Sequence, residues 1–218
     1  MELSKKDAKR RWSDPAFQAT AAPLVSRLVS GTITLSDADI AGISIGMEGP
    51  VKELWDISLY QAKLHDVDMS YADLACSLNE AQLRQVRLAG AELDRCSMEK
   101  AQVTECDFSN AKLIVNLDDS FFEGCKFIGT AFSGGRAGVE YGGRRVRFTR
   151  CDFSDALFMR VEFRATHFID CTFDRTQFTQ CDLRGAKVEG GVPPLTSQFE
   201  KMDVPTWARP GQKQITPG

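Results

Sequence analysis

Seven cysteines, two histidines and 30 acidic side chains are the reactive groups of this 218-residue chain. Cysteine in that number could hold zinc or close disulfides, and an odd count would leave one thiol over. The spacing argues for neither. No C-x-x-C pair occurs among Cys76, Cys96, Cys106, Cys125, Cys151, Cys171 and Cys181, so the tetrahedral ligand pattern of a structural zinc site is missing. His65 and His167 are the only imidazoles. No Ser-His-Asp, H-E-x-x-H or Cys-His arrangement accompanies them. Paired carboxylates need a desolvating cleft to separate their pKa values, and nothing in the chain promises one. The Gly-rich stretch Ser133–Arg145 lacks the Gly-Lys-Ser/Thr ending of a phosphate loop. The expectation is a chain with no catalytic residues, no metal and no cofactor.

What positions the cysteines is a repeat. Large apolar residues return every five positions: Leu54, Leu59, Leu64, Met69 and Leu74, then Leu78 to Leu113, Leu117 to Phe132, and Phe148 to Val188. Two residues before nearly every one, from Ala62 onward, sits a small side chain, and all seven Cys occupy that small position. The register slips by one residue between Leu74 and Leu78, and again between Leu113 and Leu117. A period of five fits neither a 3.6-residue helix nor a two-residue strand. It requires a corner every five residues, so that four corners close a coil of about twenty. Stacked coils then pair backbone groups at the parallel-strand spacing of roughly 4.8 Å. With 26 such repeats from Leu54 to Val188, and three weaker ones at Leu35, Ile40 and Ile45, the chain predicts about seven coils and a rod of roughly 34 Å.

The eight prolines agree with this. None lies between residues 51 and 192, where every rung must donate backbone N–H groups. The cysteines then read as small buried hydrophobes. The phenylalanines predict stacks one coil apart: Phe148 on Phe168, Phe153 on Phe173 and Phe158 on Phe178.

The units Ala72-Asp73-Leu74, Cys106-Asp107-Phe108, Cys151-Asp152-Phe153 and Cys181-Asp182-Leu183 resemble the pentapeptide-repeat family, over about residues 33–190. The resemblance implies an all-β fold, a right-handed quadrilateral parallel β-helix with a short helical cap. The expected organisation is a cap over 1–31 with helices near 4–12 and 14–29, a β-helix over 32–190 with a projecting loop at 133–145, and an extended tail over 191–218. The resemblance also implies a non-catalytic, usually bacterial binding protein. The best-known members stand in for B-form DNA and protect gyrase and related type II topoisomerases from poisons. The other reading is an interaction scaffold, such as an immunity protein against a secreted toxin or an adaptor in a secretion or signalling assembly.

Charge suggests where a partner would bind. Residues 52–132 hold 14 acids and 8 bases, whereas residues 133–188 hold 7 acids and 10 bases. Assigned to faces, Glu53, Asp56, Asp73, Glu92 and Asp94 share one side. Glu80, Glu99, Asp118 and Asp119 share the next. This acidic side suits a basic protein partner. The second candidate is the projecting loop with Arg136, Glu140, Tyr141, Arg144 and Arg145. Neither direct nucleic-acid binding nor a membrane is expected, a homodimer is one arrangement, and the cytoplasm is the expected compartment. No apolar run is long enough to span a bilayer, and Met1–Arg11 is too polar and basic for a secretory leader.

Overall fold

The computed structural model describes residues 3–31, 33–135 and 141–210. The chain winds as a right-handed quadrilateral β-helix, the expected all-β fold. Two opposite faces are parallel sheets of eight strands each. On the first face Leu35, Leu64, Leu83, Val103, Phe122, Phe148, Phe168 and Val188 stand in register. On the third face Ile45, Leu74, Leu93, Leu113, Phe132, Phe158, Phe178 and Phe199 do the same. The second and fourth faces are narrower. Single bridges hold them, running from Asp68 through Arg87, Asp107, Lys126 and Asp152 to Thr172 on the second, and from Asn116 through Gly142 and Glu162 to Asp182 on the fourth.

Corners explain the period of five. Most turns between faces contain one residue with positive φ, for instance Gln85 at 54°, Asn110 at 58° and Asp155 at 59°. A non-glycine residue there costs on the order of 1–2 kcal/mol, and inter-rung hydrogen bonds offset it. Gln85 N donates to Thr104 O at 2.9 Å and Lys100 N to Asp118 O at 2.9 Å. The two register slips have a simple cause. Neither the Leu74–Leu78 nor the Leu113–Leu117 corner contains a positive-φ residue, so each slip is the omission of the left-handed corner residue. The ladder shows the second as a shift, with Leu93 opposite Leu113 but Cys96 opposite Val115.

The large inward residues make one continuous core, with Phe148, Phe153 and Phe163 at 0% exposure. The three expected stacks form, Phe148 on Phe168 at 5.3 Å, Phe153 on Phe173 at 5.5 Å and Phe158 on Phe178 at 4.8 Å between ring centres. Six of the seven cysteines are buried and Cys76 is half-buried; all are free thiols.

Two expectations change. The excursion anticipated at 133–145 is shorter, because Ser133 is still in a strand and the ladder resumes at Gly142, bridged to Asn116 below and Glu162 above. Gly142 has φ +123°, and a Cβ on it would run into the Glu162 carbonyl oxygen. Gly143 therefore takes the central inward position that Leu117 and Phe163 take in the flanking coils. The second change is near residue 50. Leu74 pairs with Ile45, not with Leu54, and the chain leaves the ladder after Ile45 to make a 3-10 turn at Lys52–Leu54. Gly46 N and Leu54 O close that excursion at 2.8 Å.

At the N-terminal end, α1 (Lys5–Arg10) and α2 (Pro15–Leu28) flank a 3-10 turn at Arg11–Ser13. Asp14 caps α2 by accepting from Ala16 N at 2.9 Å, and Pro15 opens it where a missing N–H costs nothing. Trp12 is buried and its Nε1 donates to Ala41 O at 2.9 Å. Helix α1 lies on the corner at Gly42, where any Cβ would strike the Ala8 carbonyl. At the other end, Phe199–Glu200 adds a last strand beside Phe178–Thr179. Gln198 Nε2 donates to Phe173 O and Thr176 O at 2.8 and 2.7 Å. The segment read as a tail thus contributes a rung as far as Glu200. No helix among the described residues is long and apolar enough to cross a membrane.

Candidate binding faces

The reactive groups of the sequence do not converge. His65 and His167 both lie on the first face, five rungs apart, or about 24 Å at the strand spacing. Among the described residues no group of three His, Cys, Asp or Glu side chains could hold a metal ion. The cysteines stack inside the rod. Cys106, Cys125, Cys151 and Cys171 form one column, in which the Cys125 sulfur, and then burial, push the Cys106 thiol above its ordinary range. Burial pushes Cys181 up to about 11.

The acidic side separates into a tied part and an open part. On the third face, Lys9 Nζ donates to both Asp73 oxygens at 2.7 Å. Glu92 accepts from Lys5 at 2.8 Å and from Lys112 at 3.2 Å, and Lys5 above all holds its carboxyl below the usual range. Asp94 pairs with Arg95 at 2.8 Å. Helix α1 therefore lays its lysines on acids that sequence alone assigned to a partner. Glu53 and Asp56 belong to the excursion around the Lys52–Leu54 turn and are exposed, so the ladder does not place them beneath Asp73.

On the fourth face Asp119 is held by Arg145 at 2.6 Å. Glu80, Glu99 and Asp118 form no ion pair among the described residues. Their neighbours are neutral donors: Gln61 Nε2 reaches Glu80 at 2.9 Å, Asn116 Nδ2 reaches Glu99 at 2.8 Å, and the Arg144 backbone N–H reaches Asp118 at 2.7 Å. These three carboxylates stand on successive rungs of one side.

The loop set also separates. Arg136 and Glu140 lie outside the described residues. Tyr141 is half-buried and its carbonyl accepts from Glu162 N at 2.8 Å. Arg144 and Arg145 stand on the fourth-face ladder, with Arg144 Nε donating to Glu162 at 2.5 Å. Two arginines that the sequence reading did not single out join this row. Arg164 and Arg184 both donate to Asp182, and Arg184, followed by Arg164, holds that carboxyl well below the usual range despite its partial burial. Their spacing of twenty residues from Arg144 was the available signal.

Comparison with known proteins agrees with the repeat. Residues 76–113 and 147–185 match the family model described as pentapeptide repeats, in 8 copies. No curated protein matches the chain. Similar solved structures include HetL, a pentapeptide repeat protein involved in heterocyst differentiation regulation from the cyanobacterium Nostoc sp. strain PCC 7120, at 15% identity, over 77% of this chain and 93% of that one, with TM-score 0.29. They also include full-length QnrB1, a plasmid-mediated fluoroquinolone resistance protein, at 14% identity, over 72% and 94%, with TM-score 0.31.

Proposed function

We propose that this chain, which is a pentapeptide-repeat protein, acts as a non-catalytic solenoid that binds a basic protein surface through its fourth face. One observation carries the reading. Glu80, Glu99 and Asp118 occupy successive rungs and make no ion pair among the described residues, while the third-face acids Asp73 and Glu92 are paired with α1 and Asp94 with Arg95. A rigid rod holds Glu99 and Asp118 one above the other at roughly 4.8 Å, with Glu80 one rung lower in the corner column beneath Lys100, and such an array raises the on-rate and selects for complementary charge.

The specific form of the reading is protection of a type II topoisomerase, whose DNA-binding surface is basic, from a poison such as a quinolone. A gyrase supercoiling assay tests it. The intact chain should restore supercoiling in the presence of the poison, or inhibit the enzyme, at micromolar protein. The variant Glu80→Gln/Glu99→Gln/Asp118→Asn should lose that effect while melting at the same temperature. Neither effect from folded protein would sink the topoisomerase reading.

The scaffold reading has its own support. Three free acids over three rungs, about 14 Å, give one charge per ~5 Å, well below the duplex value of one per about 1.7 Å. A modest basic patch on a toxin or an assembly component fits that density better than a long DNA channel does. Affinity capture from the native host decides between the two: topoisomerase subunits for one, a toxin or secretion component for the other.

A further inference from the structure

The edge where the fourth face meets the first changes sign half-way along the rod. Below Gly142 its outward positions carry Glu99 and Asp118; from there on they carry Arg144, Arg164 and Arg184 on three successive rungs. Those guanidiniums are braced by carboxylates of the next rung or of their own. Arg144 bonds Glu162 at 2.5 Å, and Arg164 and Arg184 each reach Asp182 at 2.6 Å. The carboxylates are only 13% and 17% exposed, against 53%, 38% and 73% for the three arginines. Each arginine keeps unspent N–H donors facing out. Around the corner, Arg147, His167 and Lys187 stand in register on the first face. With Arg145 at the corner, the edge presents six Arg and Lys side chains on three rungs, of which three are offset by Glu162 and Asp182 on the same rungs and by Asp119 on the rung below.

We propose that this edge binds the phosphodiester backbone of duplex nucleic acid without reading its bases. Arginine forks match phosphate oxygens bidentately. The six cations span about 14 Å, one per ~2.4 Å; with three offset by carboxylates the surplus is one per ~5 Å, and a duplex with one phosphate per about 1.7 Å can meet every one of these side chains. An extended acidic peptide, showing one side chain to the edge every ~6.6 Å, would meet fewer of them. His167 is the one aromatic side chain among these outward positions, and a single ring does not make the succession of platforms on which unpaired bases stack. The acids of the lower rungs confine the duplex to this half. This departs from the expectation of no direct nucleic-acid contact, and it is independent of the acidic face and its protein partner.

Fluorescence anisotropy with a labelled mixed-sequence DNA duplex of about 20 base pairs tests it on the full chain, between about 50 and 200 mM salt. Wild type should bind at the lower salt and weaken at least tenfold at the higher. The variant Arg147→Gln/Arg184→Gln/Lys187→Gln should bind at least tenfold more weakly, with the log–log salt slope reduced by about 2.7, or ~0.9 per lost cation. The pair Arg147→Gln/Lys187→Gln, which touches no ion pair found among the described residues, should weaken binding several-fold on its own with an unchanged melting temperature. Absence of binding at low salt, or an unaltered Kd in both variants, overturns the proposal. So does displacement of the duplex by poly-glutamate at equal charge concentration, which would make the edge a site for acidic protein.

Discussion

At the scale of single residues, one rule governs what the rod will accept. Through the regular coils the small inward position is filled by Ala, Val, Cys, Thr or Ser, and several of the polar ones share a bond. Thr130 Oγ1 donates to Phe108 O at 2.6 Å, Thr176 Oγ1 to Phe153 O at 2.8 Å and Cys96 Sγ to Leu74 O at 3.2 Å. Each reaches a carbonyl of the preceding coil. A hydroxyl or thiol buried there is satisfied, so it carries no unpaired-donor cost, and the seven Cys follow from packing alone. The large position is less forgiving. Phe163 is fully buried between the rings of Phe132, Phe148, Phe158 and Phe168. Phe163→Ala should lower stability by about 3–5 kcal/mol. Phe163→Asp, which buries an unpaired charge, should abolish the cooperative melt of the coils around it. Circular dichroism with thermal melting checks both, and an unshifted melt for the Asp variant would mean the side chain does not point inward.

At the scale of the element, the five-residue period was legible because each coil repeats the same corner geometry. It failed where the corner changed. Between Phe132 and Phe148 the sequence offers five glycines and no large apolar residue at the expected spacing, so the inward position passed to Gly143 and left no mark in the pattern. In the sequence, Arg144 and Arg145 downstream of it therefore look like loop residues. The same blindness hid the Ile45–Leu74 pairing, because Leu54 mimics the period from inside an excursion. Helix α1 was legible as a cap, but its lysines' partners were not, since Lys5 and Glu92 are 87 positions apart. The revised register makes a prediction. Phe132 and Gly143 are eleven residues apart, and removing residues 135–140 would restore a spacing of five. That deletion should fold and melt no lower than wild type, since it shortens a connection without removing a rung. Deleting 134–143 instead removes the Gly142 bridge and the Gly143 rung, and should cost most of the cooperative transition.

At the scale of the whole molecule, the rod is a one-dimensional stack in which each coil leans on its neighbours, so its ends and its interior answer to different forces. The ends depend on ion pairs. Arg11 holds the Asp39 carboxyl below its ordinary value of 3.8, and Lys5 does the same for Glu92 against 4.5, while Arg184 acts on Asp182 near the other end. A carboxylate depressed in the folded state adds stability that is complete above its ordinary pKa and is lost as pH falls through the lower, folded one. The interior depends on neutral thiols. Cys181 is raised to about 11 from 9.0, and Cys106 lies above its ordinary range as well. A thiol raised by folding adds stability that is complete below 9.0 and is lost as pH climbs through the folded value. Melting temperature should therefore be flat from about pH 5 to 9 and fall on both sides for separate reasons. On the acid side, hydrogen exchange should quicken first in α1 and in the last coils. On the alkaline side, Cys181→Ala should flatten the decline while leaving the acid limb in place. A variant whose alkaline limb matches wild type would show that the thiols do not set it.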